Sequence, residues 1–195
     1  FRERLTYEGF VAAMRALANE QPALRFMEEG PAHGDYRLCS LNLGEPGRPA
    51  FLVYGVAHGS EWEPAYGLLE LARLLASPEG KGLFDTSRYS LKIVPIINPT
   101  GYDLFTRQNA NKVDLNRNAI DHWETYQGRD SNKDGVYGPG DYDWKGTASC
   151  SEPETRTIRR ICEELKPHAV LDFHGNAGGR GNNRLILLPR YARRE

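Results

Sequence analysis

Cysteine is scarce in this chain of 195 residues: Cys39, Cys150 and Cys162 are odd in number and far apart. That excludes a disulfide framework and a C-x-x-C metal site. Cys162 falls on the apolar stripe of an expected helix and reads as buried filler. Long apolar runs are missing as well. No stretch approaches the roughly 20 consecutive apolar residues of a membrane span, so a soluble chain without membrane partners is expected. Net charge is also lacking, because 25 Lys plus Arg face 26 Asp plus Glu for a formal charge of -1. No global field draws the protein to nucleic acid or an anionic membrane, and a small partner is expected. Neither an internal repeat nor a low-complexity segment is present. The first residue is Phe1 and no charged-then-apolar leader follows it. The expectation is either a leader already removed, as in a secreted or periplasmic protein, or a piece of a longer chain, and the compartment stays open.

What is present suffices for one packed core over 1–195. Hydrophobic residues make up 39% and charged residues 26%, a balance that favours order over disorder. The charge is unevenly spread. Asp121, Glu124, Asp130, Asp134, Asp141 and Asp143 crowd one stretch, and Arg180, Arg184, Arg190, Arg193 and Arg194 crowd the end, where they read as solvated surface. Helical spacing of Phe10, Met14, Leu17 and Ala18 predicts a helix over 6–19, stopped by Pro22. Residues 36–43 and 50–57 read as strands, with Gly44, Pro46, Gly47 and Pro49 placed to turn a hairpin between them. Ala65, Leu68, Leu69, Ala72 and Leu75 predict a second helix. Residues 91–98 form another β-branched run, in which Pro95 would leave one ladder position unpaired, as at an edge or a bulge. Residues 100–150 are irregular and rich in Gly, Asn, Asp and Tyr, and so long an unstructured stretch suggests function. Ser151 and Glu154 spell a capping box for a helix whose stripe is Ile158, Ile161, Cys162 and Leu165, ended by Pro167. Residues 169–173 and 185–188 read as further strands. Strands alternating with helices suggest an α/β layered fold, in which ligands sit off strand ends.

Two of those strand ends carry chemistry. His58 and Glu61 form H-x-x-E directly after the apolar run 51–57, and His174 closes the run 170–173. A His and a Glu three residues apart share one face of a helical turn and can reach one metal. Two imidazoles and one carboxylate, with a fourth position left for water, are the ligand set of a catalytic zinc ion. That makes a hydrolase the leading reading. Singly, each element has a plainer one: His174 also looks like a core histidine, Asn98-Pro99 with Gly101 like a turn, and 151–155 like a helix start.

Between the metal candidates lie Asn98-Pro99-Thr100-Gly101-Tyr102, Arg107, Asp114-Leu115-Asn116-Arg117-Asn118 and Ser151-Glu152-Pro153-Glu154-Thr155. Taken in order from about 51 to 189, these motifs resemble the zinc metallocarboxypeptidase family of the carboxypeptidase A and B type. The resemblance implies an α/β fold with a mixed, largely parallel sheet flanked by helices, and a zinc-dependent exopeptidase that removes C-terminal amino acids with metal-activated water. It implies zinc ligation by His58, Glu61 and His174, and Asp114 behind them orienting His58. Asn116 and Arg117 would receive a substrate's terminal carboxylate, as a guanidinium fork can. Arg107 would stabilise the oxyanion. The substrate would be a peptide or a small amino-acid derivative with a free carboxylate. The family's general-base glutamate and its accompanying tyrosine lie well beyond the third ligand, and neither Tyr191 nor Glu195 sits in that context. The expectation is therefore either a domain whose C-terminal part is missing, with exposed strand edges and a tendency to self-associate, or a homologue that binds metal without efficient turnover.

Two other functional readings share these residues. A deacylase resembling aspartoacylase or succinylglutamate desuccinylase would use H-x-x-E and D-x-N-R on small acyl amino acids. A non-catalytic module would grip C-terminal carboxylates without cleaving. Separately, Asp130, Asn132, Asp134, Gly135 and Asp141 occupy positions 1, 3, 5, 6 and 12 of a calcium loop. Asp replaces the usual final Glu, and Gly138, Pro139 and Gly140 oppose an exiting helix.

Overall fold

The computed structural model describes residues 4–119 and 122–175. The expected strand over 185–188, the terminal arginines, Tyr191, Glu195 and Asp121 lie outside the described residues. Five strands form one mixed sheet in the order β1-β2-β4-β3-β5, with β1 at Arg25–Pro31, β2 at Arg37–Leu43, β3 at Ala50–Gly55, β4 at Ser90–Val94 and β5 at Ala169–Phe173. β1, β2 and β4 pair antiparallel, whereas β3 runs parallel to both β4 and β5. Helices α1 (Tyr7–Glu20) and α2 (Glu63–Ala76) cover one face, and α5 (Pro153–Leu165) covers the other.

The strands' period of two sets this layering. Leu41, Leu43, Val53, Leu91 and Ile93 meet Phe10, Met14, Leu17, Leu68 and Leu69 in one core cluster. Leu38, Leu52 and Val94 point the other way, toward Ile161 and the half-buried Ile158, Cys162 and Leu165. Thr6 caps α1, its hydroxyl accepting the Gly9 N–H at 3.2 Å.

Four expectations need correction. The hairpin between residues 36–43 and 50–57 does not form, because β4 lies between β2 and β3 and pairs with both. The run 91–98 is a strand only to Val94, and Pro95 follows the ladder instead of interrupting it. The capping box is absent. Glu152 holds the N-cap position, Ser151 donates to Glu152 Oε1 at 2.7 Å, and Glu154 is engaged elsewhere. His58 and Glu61 lie on a turn, not a helix, closed by the Glu61 N–H donating to His58 O at 3.0 Å. β1 was not read from the sequence, since Arg25–Pro31 shows no clean alternation of apolar and polar residues. Among its described residues the stretch 100–150 holds the short helices α3 (Pro99–Leu104) and α4 (Leu115–Asn118) and a 3-10 turn at Trp123–Thr125. No described helix is long and apolar enough to cross a membrane.

Candidate metal centre

The parallel pair β3 and β5 delivers the metal candidates to one place. Gly55 and Phe173, the last residues of the two strands, are register partners. His174 follows one strand end immediately and His58 lies three residues past the other, so both sit at the carboxyl edge where open α/β sheets bind ligands. Between them the chain kinks at Val56, a buried β-branched residue with φ of 58°. Such a conformation is costly and persists only where its surroundings enforce it.

Those surroundings are α3 and the segment after it. Asn98 is fully buried and caps α3, its Oδ1 accepting the Gly101 N–H at 2.9 Å. Its Nδ2 donates to Ala57 O at 3.1 Å and Arg107 O at 3.2 Å, tying both sides of the site together. The Gly59 and Ser60 N–H groups donate to Arg107 O and Thr106 O at 3.4 and 3.0 Å. Backbone packs on backbone here, for a Cβ on Gly59 would lie 1.9 Å from the Gly101 carbonyl carbon. The Asn-Pro-Thr-Gly turn is therefore the shelf on which the His58–Glu61 turn rests.

Glu61 stands between the two imidazoles. Its Oε1 is 2.8 Å from His58 Nδ1, and its Oε2 is 3.1 Å from His174 Nδ1 and accepts the Gly175 N–H at 3.0 Å. The rings are 4.9 Å apart between centroids. Each imidazole is engaged from behind by a second carboxylate, His58 Nε2 by Asp114 Oδ1 at 3.2 Å and His174 Nε2 by Asp172 Oδ2 at 2.9 Å. Burial pushes the Glu61 carboxyl up, but hydrogen bonds to His174 and His58 and their charges outweigh it and hold Glu61 at about 2. Burial likewise opposes a charged His174, yet the hydrogen bonds to Asp172 and Glu61 raise it to about 9.

This donor set fits one divalent ion. One ligand atom from each of His58, Glu61 and His174 lies within 4.8 Å of the others, and no other such trio occurs among the described residues. Both Nδ1 atoms face the same carboxylate, and a carboxylate engages each Nε2, the arrangement that fixes tautomers in histidine metal sites.

The remaining expected residues adjoin the centre. Asp114, fully buried, caps α4 and accepts the Asn116 N–H at 2.9 Å on the oxygen that meets His58. Its other oxygen accepts Arg107 Nε and Nη2 at 3.1 and 2.7 Å. Burial raises the Asp114 carboxyl, while the bond to His58 and the charges of His58 and Arg107 bring it below its ordinary value. The third edge of Arg107 faces the centre, with Nη1 3.3 Å from His58 Nδ1. Tyr142 lies over the guanidinium at 4.2 Å and accepts from Nη1 at 3.0 Å. Arg117 leaves α4 toward Tyr126, donating Nε to its hydroxyl at 3.1 Å, and Tyr126 donates to Asp143 Oδ2 at 2.6 Å.

The loop read as a calcium motif uses its oxygens on its own backbone. Asp130 accepts from the Lys133 and Gly135 N–H groups, Asn132 from Asp134, and Asp134 from Val136. Asp141 accepts from Ser131, Asn132 and Gly138. Among residues around the site that the sequence did not single out, Asp172 had a usable signal: it stands two positions before His174, the strand spacing that shares a face. Tyr126, Tyr142 and Asp143 lie in irregular chain, and nothing local marks them.

Comparison with known proteins agrees with this geometry. The zinc carboxypeptidase family, peptidase M14, matches residues 11–179. Zinc carboxypeptidase A 1 of Anopheles gambiae is 28% identical over 202 residues, covering 94% of this chain and 44% of its own length. Carboxypeptidase Z of Homo sapiens is 28% identical over 149 residues, covering 65% and 22%. The chain thus spans less than half the length of these curated relatives. Among solved structures, bovine thrombin-activatable fibrinolysis inhibitor, in complex with tick carboxypeptidase inhibitor, superposes with a TM-score of 0.76 at 20% identity, over 89% of this chain and 61% of that one. Carboxypeptidase A of Helicoverpa armigera gives 0.71 at 23%, over 88% and 46%. Sheet order, paired strand ends and the His-Glu-His trio all lie within the matched span, and the chain belongs to the zinc carboxypeptidase family.

Proposed function

We propose that the protein is a zinc-dependent carboxypeptidase that removes C-terminal residues from peptides. The observation that carries this reading is the convergence of His58, Glu61 and His174 at the carboxyl edge of the sheet, in a chain of this family. Zinc bound there would supply a Lewis acid and a water of lowered pKa. The protein's own residues do the rest. Asp114 and Asp172 hold the ligand rings. Arg107 Nη1, the guanidinium edge left facing the centre, is placed to stabilise negative charge on a substrate carbonyl oxygen. Asn116 and Arg117 receive the substrate carboxylate. Arg117 is suited to this, because although burial opposes its charge, the charge of Asp114 and the bond to Tyr126 keep it firmly protonated. Recognition of a free chain end is what separates an exopeptidase from other peptidases.

The test pairs a zinc titration with release of amino acids from a peptide, its C-terminally amidated form and an N-acyl amino acid. One zinc per chain, release from the free peptide alone and selective loss of that release in Arg117→Ala support the reading. Turnover of the N-acyl amino acid alone would favour a deacylase, and peptide binding without product would favour a carboxylate-gripping module.

A further inference from the structure

We propose that Asp172 is a positioning residue that aims His174 and strengthens its hold on a divalent ion. The proposal rests on the metal-centre reading and deepens it. Asp172 lies on β5, opposite Tyr54 on β3, and its Oδ2 meets His174 Nε2 at 2.9 Å while His174 Nδ1 faces Glu61. An imidazole that gives its Nε2 proton to a carboxylate must present the Nδ1 lone pair to the metal. The bond therefore selects both tautomer and ring angle.

The two carboxylates behind the ligands are unequal. Asp114 shares its charge among His58, the Asn116 N–H and two N–H groups of Arg107. Among the described residues the Asp172 carboxylate bonds only to His174. Its Oδ1 is buried and makes no hydrogen bond among the described residues. Asp172 lines a cavity of about 60 Å³ with Tyr54, Ala57, Ile97, Leu115, Asn116 and Ala119. That is room for water, which could satisfy a polar atom but would not neutralise a charge. Asp172 thus directs its negative charge mainly through His174, making that imidazole the more electron-rich ligand. A buried carboxylate oxygen without a donor also weakens the fold. Its presence is accounted for by the ligand it holds, not by packing.

A structural role and a positioning role move stability and metal affinity differently. In the full-length protein, zinc affinity is measured by competition with a chelating dye, the cobalt form by its visible absorption, and the metal-free form by thermal unfolding. For Asp172→Asn the expected result is zinc affinity about 10- to 100-fold weaker and an altered cobalt band, a loss larger than any change in metal-free unfolding accounts for. Asp172→Ser, too short to reach the ring, should show the same loss, and Asp172→Glu should recover part of it. Zinc affinity within twofold of wild type in Asp172→Asn, or in Asp172→Ser should the first variant not fold, overturns the proposal. A drop in metal-free stability with unchanged affinity overturns it equally. Wild type that takes up no zinc would sink the metal centre and this proposal together, whereas zinc lost in His174→Ala but kept in Asp172→Asn and Asp172→Ser removes only the role given to Asp172.

Discussion

Replacing Gly59 by alanine tests whether the ligand turn is held by backbone contact with α3. An added Cβ would sit 1.9 Å from Gly101 C and 2.2 Å from Gly101 O and Tyr102 N, against about 3.4 Å for ordinary contact. The two segments must therefore separate by about 1.5 Å, the difference between those distances. All three atoms belong to backbone, so no side chain can swing aside. Separation by that amount would break the Gly59 and Ser60 N–H bonds to Arg107 and Thr106. Two lost hydrogen bonds at about 1 kcal/mol each and overpacking at about 1–3 kcal/mol give a destabilisation of about 3–5 kcal/mol. His58 and Glu61, flanking the displaced residue, would no longer share one ion. The assay is urea unfolding of the metal-free protein beside zinc stoichiometry. Gly67→Ala is the control: it lies exposed inside α2 with nothing within 4 Å of an added Cβ, and should stabilise by about 1 kcal/mol with zinc uptake intact. Wild-type stability and full zinc binding in Gly59→Ala would refute the shelf.

Asn98→Ala removes the side chain that serves one buried N–H and two carbonyls, and should cost about 2–4 kcal/mol in urea unfolding and lower zinc occupancy as well. Glu154 lies buried near Glu152, and burial foremost, with the charge of Glu152, raises its carboxyl above the ordinary value despite bonds from His33 and Asn109. A carboxyl raised in the folded state favours folding below its unfolded pKa and loses that contribution as pH rises through the folded value. Glu154→Gln should therefore gain stability relative to wild type as pH climbs from 4 to 8. A flat difference between their urea midpoints over that range would contradict the assigned cause.

The parts of the molecule legible in the sequence were those set by local periodicity. The spacing of Phe10, Met14 and Leu17 marks α1, and the apolar run ending at Phe173 marks β5 to the residue. The pairing of strands was not legible. Gly44 to Pro49 carries every residue a hairpin turn asks for, yet β4 takes the place between β2 and β3, because burying Ile93 and Val94 on opposite faces outweighs a short connection. At the site, the residues that converge were readable and what supports them was not. H-x-x-E names two candidate ligands, but its turn is shaped by Asn98 and Gly101, forty residues away, through contacts that leave no period in the chain. Ser151 and Glu154 show the converse. A local capping pattern was overridden because Glu154 meets His33 and Asn109 across the fold.

Asp114 is where these layers meet, since one carboxylate holds the imidazole of His58, caps the helix that carries Asn116 and Arg117, and neutralises Arg107. Its burial makes the pairing with Arg107 non-additive. In Asp114→Asn the guanidinium keeps its charge but loses its counterion, and in Arg107→Ala the carboxylate is left in a site closed to water. Breaking one side of a buried pair costs about 3–5 kcal/mol, largely the penalty of the stranded partner. The double variant strands neither, so its destabilisation should fall short of the summed single losses by about 1–3 kcal/mol. Urea unfolding of the four metal-free proteins measures that difference. Additivity within about 0.5 kcal/mol would mean that Arg107 and Asp114 act independently, and Arg107 could then be exchanged without disturbing the His58–Glu61 turn.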